Sequence, residues 1–288
     1  MKALVTGASG FVGRHLVRAL SEAGAQVHAV VRTTSSRHRP SGPGITVHEL
    51  GQPAVEIGEV IEAVRPDTVF HLATHFSARH LPAEIISMLE ANVVFGTTLA
   101  QACAATQTRL VHATSAWQHY GGAGYEPVSL YAATKQALVD IIEYFRVVEG
   151  LDSREVCLFD TYGPEDDRGK LTGALLTAAR TGAELDMSSG NQLIDLVHID
   201  DVVGALLVAG EAEHFSGRMV VRTGRPVTVR DLAAIIEEVS GAALRINWGS
   251  RPDRGREMIT DWEIAANNGR WQPQRSLRDG LADLWRSS

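Results

Sequence analysis

The fold is decided near the start of the chain, by the stretch Lys2-Ala-Leu-Val-Thr-Gly-Ala-Ser-Gly-Phe-Val-Gly13. It opens with an apolar run that predicts a short strand, and Gly7, Gly10 and Gly13 follow at once. A helical pattern and a second predicted strand, Gln26 to Val31, come next. In this context glycines bind a dinucleotide, because the backbone can approach the pyrophosphate at the N-terminus of the helix. A tight turn that only packs the helix on the strand is the alternative.

The end of the second predicted strand indicates which dinucleotide binds. An acidic residue there would bind the adenosine ribose of NAD, whereas this chain has Arg32, followed by a Thr- and Ser-rich run up to Arg37. A guanidinium suits a ribose 2′-phosphate because it can donate two parallel hydrogen bonds to it. We therefore predict NADP(H) as the preferred cofactor, with NAD(H) as the alternative. A solvated loop is the other interpretation of Arg37.

Strands and helices alternate through the first half of the chain. Further strands are predicted at Ile45–Val47, Thr68–Leu72, Arg109–Ala113 and Glu155–Phe159. This alternation predicts an α/β fold, a Rossmann-type doubly wound parallel sheet. Beyond Asp160 the pattern breaks into shorter pieces, which predicts a smaller, interleaved C-terminal substrate lobe. We expect a dinucleotide-binding domain over residues 1–165, with returns from about 190–222, and a substrate-binding lobe over 166–189 and 223–288.

Composition argues against several classes of protein. The 288 residues are 44% apolar and carry a net charge of −7 without a basic run, so no nucleic-acid partner is expected. The two cysteines, Cys103 and Cys157, lie in apolar patterns and are expected to be buried thiols, which predicts a cytoplasmic location. The 11 histidines show no metal-ligand clustering. Neither a signal peptide nor a run of about 18 apolar residues is visible, so no membrane span is expected.

Tyr131 and Lys135 lie four residues apart in a segment with helical periodicity, Leu130 to Val148. This spacing places the phenol and the ammonium on one face of a helix, one turn apart. A free tyrosine has a pKa of about 10, and a nearby cation favours the phenolate and lowers that pKa. The pair can therefore do acid–base chemistry. An ordinary Tyr/Lys pair on a solvated helix is the alternative.

Several motifs occur in one order: the glycine loop, His71-Leu-Ala-Thr74, Asn92 with Gly96-Thr97, Tyr131/Lys135, Tyr162-Gly-Pro164 and Val197-His-Ile-Asp-Asp201. Together they resemble the extended short-chain dehydrogenase/reductases, the NAD(P)-dependent nucleotide-sugar epimerase/dehydratase family. The resemblance covers essentially the whole chain, down to Gly269-Arg-Trp271-x-Pro273.

Four stretches are similar to one branch of that family: Trp117-Gln-His-Tyr120, Leu130-Tyr-Ala-Ala-Thr-Lys-Gln136, Leu158-Phe-Asp-Thr-Tyr-Gly-Pro164 and Gln192-Leu-Ile-Asp-Leu196. That branch contains reductases of nucleotide-diphospho-4-keto-6-deoxyhexoses, such as CDP-abequose and CDP-paratose synthases.

The resemblance implies a role for each matching residue. Tyr131 would donate a proton to a sugar carbonyl while NADPH delivers hydride, and Lys135 would bind the nicotinamide ribose and lower the Tyr131 pKa. The cofactor-binding residues would be Gly7, Ser9, Gly10, Phe11, Val12, Gly13, Arg32, Arg37, Leu72, Ala73, Thr74, Asn92, Tyr131, Lys135, Tyr162 and Pro164. The substrate-binding residues would be His75, Trp117, Asp160, Arg251 and Arg254. The helices that carry Asn92 and Tyr131 commonly build a dimer interface in this family, which implies a homodimer.

The sequence departs from the family pattern at three places. The hydroxyl that binds the substrate carbonyl is replaced by Ala116, so Ser115 or Thr114 is expected to supply it, with Ser115 favoured. Ile194 stands where an arginine often binds the diphosphate, which leaves that task to Arg251 or Arg254. The sequence Ala116-Trp117 also lacks the Asp-Glu pair of 4,6-dehydratases, so dehydration by that route is disfavoured.

The leading hypothesis is therefore an NADPH-dependent ketoreductase that acts on a nucleotide-diphosphate-linked keto-deoxysugar. A nucleotide-sugar 4-epimerase is the closest alternative, and Arg32 argues against it because epimerases usually show the NAD-type acidic residue. A non-catalytic NADP(H)-binding sensor is the alternative from another class. Tyr131 and Lys135 argue against a sensor, whereas Ala116 is compatible with one.

Overall fold

The computed structural model describes residues 1–35, 38–122, 124–211, 217–259, 261 and 271–287. Within these limits the chain forms two compact units that alternate along the sequence. The first unit consists of Met1–Gln118, Ser129–Cys157 and Val203–Met219. The second consists of His119–Val128, Leu158–Val202 and Val220–Ser288.

The described residues contain strands and helices throughout. The strands are β1 (Lys2–Thr6), β2 (Gln26–Arg32), β3 (Ile45–Leu50), β4 (Thr68–His71), β5 (Arg109–Ser115), β6 (Ser153–Leu158), β7 (Asp160–Tyr162), β8 (Glu184–Met187), β9 (Leu193–Ile194), β10 (Leu196–His198), β11 (Arg218–Val221), β12 (Val227–Thr228) and β13 (Arg245–Trp248). The α-helices are α1 (Phe11–Glu22), α2 (Pro53–Val64), α3 (Ile85–Leu89), α4 (Phe95–Thr106), α5 (Leu130–Val148), α6 (Leu171–Thr181), α7 (Ile199–Glu211), α8 (Val229–Ser240) and α9 (Leu277–Ser287).

A seven-stranded sheet in the order β11-β6-β5-β4-β1-β2-β3 confirms the predicted doubly wound parallel architecture. β1 pairs in parallel with β2 on one side and with β4 on the other. The chain thus builds one half of the sheet outward from β1 and returns to build the other half from β4. This reversal creates a crevice at the carboxyl ends of β1 and β4, where open α/β sheets bind ligands.

The core of the first unit is aliphatic because the strands of a parallel sheet are covered by helices on both faces. Leu4, Val69 and Leu110 of three neighbouring strands are completely buried, and Ile57 of α2 and Leu99 of α4 pack into the same cluster. Burying such a side chain contributes about 1.5–3 kcal/mol. The two cysteines are buried here, as predicted, and burial raises the pKa of the Cys103 thiol to about 12.

One continuous helical segment, Pro82–Thr106, links α3 and α4 through a π-helical turn at Glu90–Val94. It begins in a 3₁₀ turn at Pro82–Glu84. By length and composition it is the one described helix apolar enough to cross a membrane, a test that a core helix also passes. The sequence analysis expected no membrane-spanning helix because no run of about 18 consecutive apolar residues occurs. This helix has a high mean hydropathy although small and polar residues interrupt its apolar ones.

The described part of the second unit consists mainly of short paired strands and of helices α6, α8 and α9. β7 pairs with β10, β9 with β12 and β8 with β13. Helices α6, α8 and α9 cover a separate core that contains Leu175, Leu232 and Leu281. The side chains of Thr228 and Asp231 form a capping box at the start of α8, which fixes where that helix begins.

Candidate active site

The glycine loop follows β1 and leaves no room for side chains. Gly7 has φ +69°, and a Cβ built on it would lie 2.6 Å from the backbone N of Ala73. A Cβ on Gly13 would lie 2.1 Å from the backbone O of Gly7. α1 then starts at Phe11, and no side chain caps its first turn. The loop therefore offers a backbone cradle at a helix N-terminus, the arrangement that binds a pyrophosphate.

The ends of β1 and β4 are joined by a buried polar contact. Thr6 Oγ1 shares a hydrogen bond of 2.9 Å with His71 Nδ1 and accepts another, 3.3 Å long, from the backbone N–H of Ala73. The sequence predicted Leu72 and Ala73 as cofactor neighbours, and the structure places this segment directly against the glycine loop. Thr6 was not predicted. Its position as the last residue before the glycines is the signal that could have identified it.

Tyr131 and Lys135 lie one turn apart near the start of α5, as their spacing predicts. The helix begins at Leu130 because the Ser129 side chain accepts a hydrogen bond from the backbone N–H of Ala132. Tyr131 is 8% exposed and Lys135 4% exposed. Burial lowers the pKa of Lys135 to about 8. The pair is thus a partly desolvated acid–base group rather than a solvated surface pair.

Two histidines lie near Lys135 inside the first unit. His71 of β4 and His112 of β5 are register partners in neighbouring strands, and both are buried. Burial, together with the Lys135 charge, lowers the pKa of His71 and brings that of His112 to about 3. Both rings are therefore neutral at physiological pH. Lys135 is the only one of the three that keeps a charge there.

Asn92 lies in the π-helical turn and ties α5 to the loop after β4. Its Oδ1 accepts hydrogen bonds from Thr74 Oγ1 at 3.0 Å and from the backbone N–H of His75 at 2.7 Å. Its Nδ2 donates to the His75 backbone O at 3.0 Å and to Thr134 Oγ1 at 2.9 Å. Thr134 in turn donates to the backbone O of Tyr131. Asn92 was predicted to bind the cofactor, but its side chain is used in positioning the loop and the Tyr131 helix.

The two candidate hydroxyls on β5 differ in their partners. Thr114 is buried, and its Oγ1 donates a hydrogen bond of 2.8 Å to Glu155 of β6. Ser115 is half-buried, and its Oγ accepts a hydrogen bond of 3.3 Å from the backbone N–H of Trp117. A hydroxyl that accepts in this way keeps its own proton for donation to a substrate. Ala116 is completely buried.

The Tyr131 ring packs against Phe76 of the loop after β4. The Phe76 ring is 5.0 Å from the Tyr131 ring, measured between centroids, in an edge-to-face arrangement. The same Phe76 ring is 5.5 Å from that of Trp117. Trp117 was predicted as a substrate contact, whereas Phe76 was not. Its place one residue after the predicted substrate contact His75 is the signal that could have identified it.

Of the two arginines predicted to bind the ribose 2′-phosphate, the structure describes only Arg32. Arg32 is the last residue of β2 and is exposed. Arg37 lies outside the described residues. Arg39, further along the same loop, forms an ion pair with Glu49 of β3.

The remaining predicted residues belong to the second unit. Asp160 is half-buried, and burial raises its pKa against the opposing charges of Lys170, Arg168 and Arg254. Arg251 and Arg254 are exposed, and Arg254 lies 3.9 Å from Glu257.

Tyr162 is 1% exposed inside the core of the second unit, where its hydroxyl donates to the Leu277 backbone O at 3.5 Å. The side chain is therefore committed to that core, which leaves only the backbone of this residue for a cofactor. Pro164 follows two residues later.

Asp195, the residue after Ile194, is buried and forms an ion pair with Arg222. The Asp195 side chain accepts hydrogen bonds from Thr223 N, Thr223 Oγ1 and Gly224 N, and Arg222 Nε donates to it at 3.0 Å. Asp195 is thus saturated by its own unit. The described residues contain no group of three or more metal-ligating side chains that could hold an ion.

The glycine cradle at the end of β1 and the buried Tyr131–Lys135 pair define a dinucleotide-dependent enzyme of the short-chain dehydrogenase type. A model of the NAD dependent epimerase/dehydratase family matches residues 3–221. The chain belongs to that family, as the motifs indicated.

Three curated relatives match nearly the full length of the chain. The CDP-abequose synthase of Salmonella muenchen is 24% identical, over 98% of this chain and 96% of the relative. The UDP-glucose 4-epimerase of Mycolicibacterium smegmatis is 28% identical over the same shares. The dTDP-6-deoxy-L-talose 4-dehydrogenase (NAD(P)(+)) of Kitasatospora kifunensis is 27% identical, over 98% of this chain and 93% of the relative.

A solved structure shows the same fold over the full chain. MoeE5 in complex with UDP-glucose and NAD is 26% identical, covers 99% of this chain and 98% of its own, and gives a TM-score of 0.84.

Proposed function

We propose that this protein is an NADPH-dependent ketoreductase whose substrate is a nucleotide-diphosphate-linked keto-deoxysugar. The observation that carries the proposal is the buried Tyr131–Lys135 pair on α5, in the same unit as the glycine cradle. The relatives support the substrate class, because their names include enzymes of CDP-, UDP- and dTDP-linked sugars. Two of those names, the abequose synthase and the 6-deoxytalose dehydrogenase, concern deoxysugars.

In this proposal the side chains of the first unit handle the proton, and the bound cofactor supplies the hydride. Tyr131 donates its phenolic proton to the carbonyl oxygen as that oxygen gains negative charge. Ser115 donates a hydrogen bond to the same oxygen, because Thr114 is engaged with Glu155. Lys135 holds its charge beside Tyr131 and favours the phenolate that remains after proton transfer.

Two features favour reduction over the other reactions of the family. Ala116 and Trp117 supply no carboxylate beside Ser115, so a substrate proton cannot be removed there as dehydration requires. Arg32 at the end of β2 suits the 2′-phosphate of NADPH. A reductase exchanges its cofactor in every turnover, whereas an epimerase keeps it. A cofactor with the phosphate therefore fits net reduction better than epimerisation.

The test is to mix the protein with NADPH and a CDP- or dTDP-4-keto-6-deoxyhexose and to follow the reduced-nicotinamide absorbance. We expect one NADPH to be consumed for each sugar reduced. A changed sugar with NADPH intact would establish the 4-epimerase instead. If NADPH binds while neither compound changes, the protein is a sensor or its sugar is of another class.

We also propose a homodimer, because apolar side chains lie exposed on neighbouring helices. Ile86 of α3 is 65% exposed, and Val147 and Val148 of α5 are 64% and 63% exposed. Tyr144 of α5 is 53% exposed. Exposed apolar side chains on helices that pack side by side favour a protein–protein interface along them.

A further inference from the structure

Phe76 is both exposed to solvent and in contact with aromatic side chains of the candidate site. It is 41% exposed, yet its ring contacts both Tyr131 and Trp117 at ring distances of 5.0 and 5.5 Å. A single exposed apolar residue on a protein surface needs no explanation. This one contacts the proposed proton donor, so whatever the site binds beside Tyr131 meets an aromatic surface.

The backbone next to Phe76 is held in place. Asn92 bonds both the N–H and the C=O of His75, at 2.7 and 3.0 Å, and through Thr134 it is tied to the helix of Tyr131. Phe76 is the next residue in the chain. Its backbone is therefore fixed relative to Tyr131 by the hydrogen bonds of the buried Asn92 side chain, which makes the aromatic surface part of a preorganised site.

The side chain of Gln118, the residue after Trp117, is hydrogen-bonded within the unit. Gln118 accepts a hydrogen bond from the backbone N–H of Ser115 at 3.0 Å and donates to Gln136 at 2.8 Å. Ala116, which lies between Ser115 and Trp117 in the chain, is buried. Beside Tyr131 the first unit thus presents the Phe76 ring, which the Trp117 ring contacts in turn, while Gln118 and Gln136 are hydrogen-bonded within the unit.

We infer that Phe76 and Trp117 are specificity-determining residues, which together form an aromatic wall for the C6 methyl group of a 6-deoxyhexose. This inference rests on the proposed function, which places a sugar carbonyl at Tyr131. In a 4-keto sugar, C6 is attached to C5, the atom next to the carbonyl carbon, so it lies within reach of the Phe76 ring, which contacts Tyr131, and of the Trp117 ring, which contacts Phe76. A methyl group gains by burial against these rings, whereas a hydroxymethyl group would lose water without gaining a partner.

The expected discrimination follows from the size of the chemical difference. An added hydroxyl group in an apolar pocket is rejected by about 10- to 100-fold. Removing one of the two rings opens the wall to water and should lower that ratio by about 5-fold or more. The ratio between two ligands isolates this effect, since a change in overall affinity cancels.

The test measures binding without turnover. The dissociation constants of dTDP-6-deoxyglucose and dTDP-glucose, which differ only at C6, are determined by calorimetry with the full protein saturated with NADP⁺. We expect the wild type to bind the 6-deoxy ligand at least about 10-fold more tightly. Phe76→Ala and Trp117→Ala should bring the two constants close together. Phe76→Leu, which keeps an apolar side chain, should retain part of the preference. Val55→Ala, which truncates an exposed apolar residue of α2, serves as the control.

Equal constants in the wild type, no measurable binding of either ligand, or an unchanged ratio in Phe76→Ala would each overturn the inference. These outcomes are separate from those of the proposed function. If the protein prefers the 6-deoxy ligand but consumes no NADPH, the aromatic wall is supported and the ketoreductase activity is contradicted. If the protein reduces 4-keto sugars with and without the C6 hydroxyl equally well, the ketoreductase activity is supported and the aromatic wall is contradicted.

Discussion

Lys135 is a buried, charged residue that lowers the stability of the fold and takes part in the proposed proton transfer. Its side chain is 4% exposed, and burial lowers its pKa to about 8, whereas an unfolded chain has a lysine pKa of about 10.4. Below about pH 8 the folded protein therefore holds a charged amine that the fold disfavours. Between about pH 8 and 10.4 the unfolded chain binds more protons than the folded one, so this group's contribution to the free energy of unfolding rises with pH.

Replacing Lys135 by methionine should therefore stabilise the protein free of cofactor. At pH 7 we expect the free energy of unfolding to rise by up to about 3 kcal/mol, and this gain should shrink as the pH approaches 10. Urea denaturation of both proteins between pH 7 and 10 measures the difference. A variant that is less stable than the wild type at pH 7, or a difference that does not change with pH, would contradict the burial of a charged amine.

Arg32 is the residue on which the choice of cofactor depends. Arg32→Ala should weaken NADPH binding by about 10-fold or more and leave NADH binding nearly unchanged, because only NADPH carries the phosphate that a guanidinium binds. Fluorescence titration with the two cofactors makes the comparison. Arg39→Ala is the matched control, since it removes a nearby guanidinium that is paired with Glu49. Equal weakening of both cofactors by Arg32→Ala would show that Arg32 does not read the phosphate.

Individual site residues were predictable only where spacing fixes their geometry. Tyr131 and Lys135 are four apart in a helix, and that alone places them on one face. The choice between Ser115 and Thr114 depends on Glu155, which is 41 residues away from Thr114 in the sequence. The role of Phe76 depends on ring contacts across the unit. Such contacts leave no local pattern.

At the scale of the element, the π-helical turn at Glu90–Val94 is the feature that periodicity did not predict. An apolar pattern continues through it, so the sequence indicates one unbroken helix. The turn brings Asn92 to a position where it bonds Thr74, His75 and Thr134. π-helical turns of this kind are frequent at functional sites. Here the turn connects the loop of Phe76 with the helix of Tyr131.

Asn92→Leu should destabilise the protein much more than Thr134→Val does. The leucine leaves the backbone N–H and C=O of the half-buried His75 without their partner, whereas the exposed Thr74 hydroxyl can bond to water. An unpaired buried group costs about 1–3 kcal/mol, so we expect a loss of about 2 kcal/mol or more. Thr134→Val removes one partner of Asn92 and should cost about 1 kcal/mol. Urea denaturation of the two variants is the measurement, and losses of equal size would show that Asn92 is not the centre of the network.

At the scale of the molecule, the Rossmann-type sheet was predictable because the signals for it are local. Each strand is a short apolar run, and the glycine loop follows the first of them directly. The second unit was harder to predict. Its strands β9 and β12 contain two residues each and pair across more than thirty positions of the chain. Strands this short leave almost no pattern in the sequence.

The exposed apolar helices predict the state of association. We expect light scattering to give twice the 31.1 kDa mass of one chain. Ile86→Glu combined with Val147→Glu should give a monomer, because burying unpaired charges at an interface is unfavourable. Val55→Glu changes an equally exposed apolar residue of α2 and should leave the dimer intact. A monomeric wild type, or a double variant that stays dimeric, would place the interface elsewhere or remove it.

Isotope labelling of the transferred hydride tests the proposed reduction most directly. The protein is incubated with a nucleotide-linked 4-keto-6-deoxyhexose and with NADPH that is deuterated at both C4 positions of the nicotinamide. The mass of the sugar product is then measured by mass spectrometry. We predict that each product molecule gains one deuterium, and that Tyr131→Phe forms it roughly 100-fold or more slowly. An altered sugar without deuterium, or a Tyr131→Phe variant as fast as the wild type, would contradict a reductase in which Tyr131 is the proton donor.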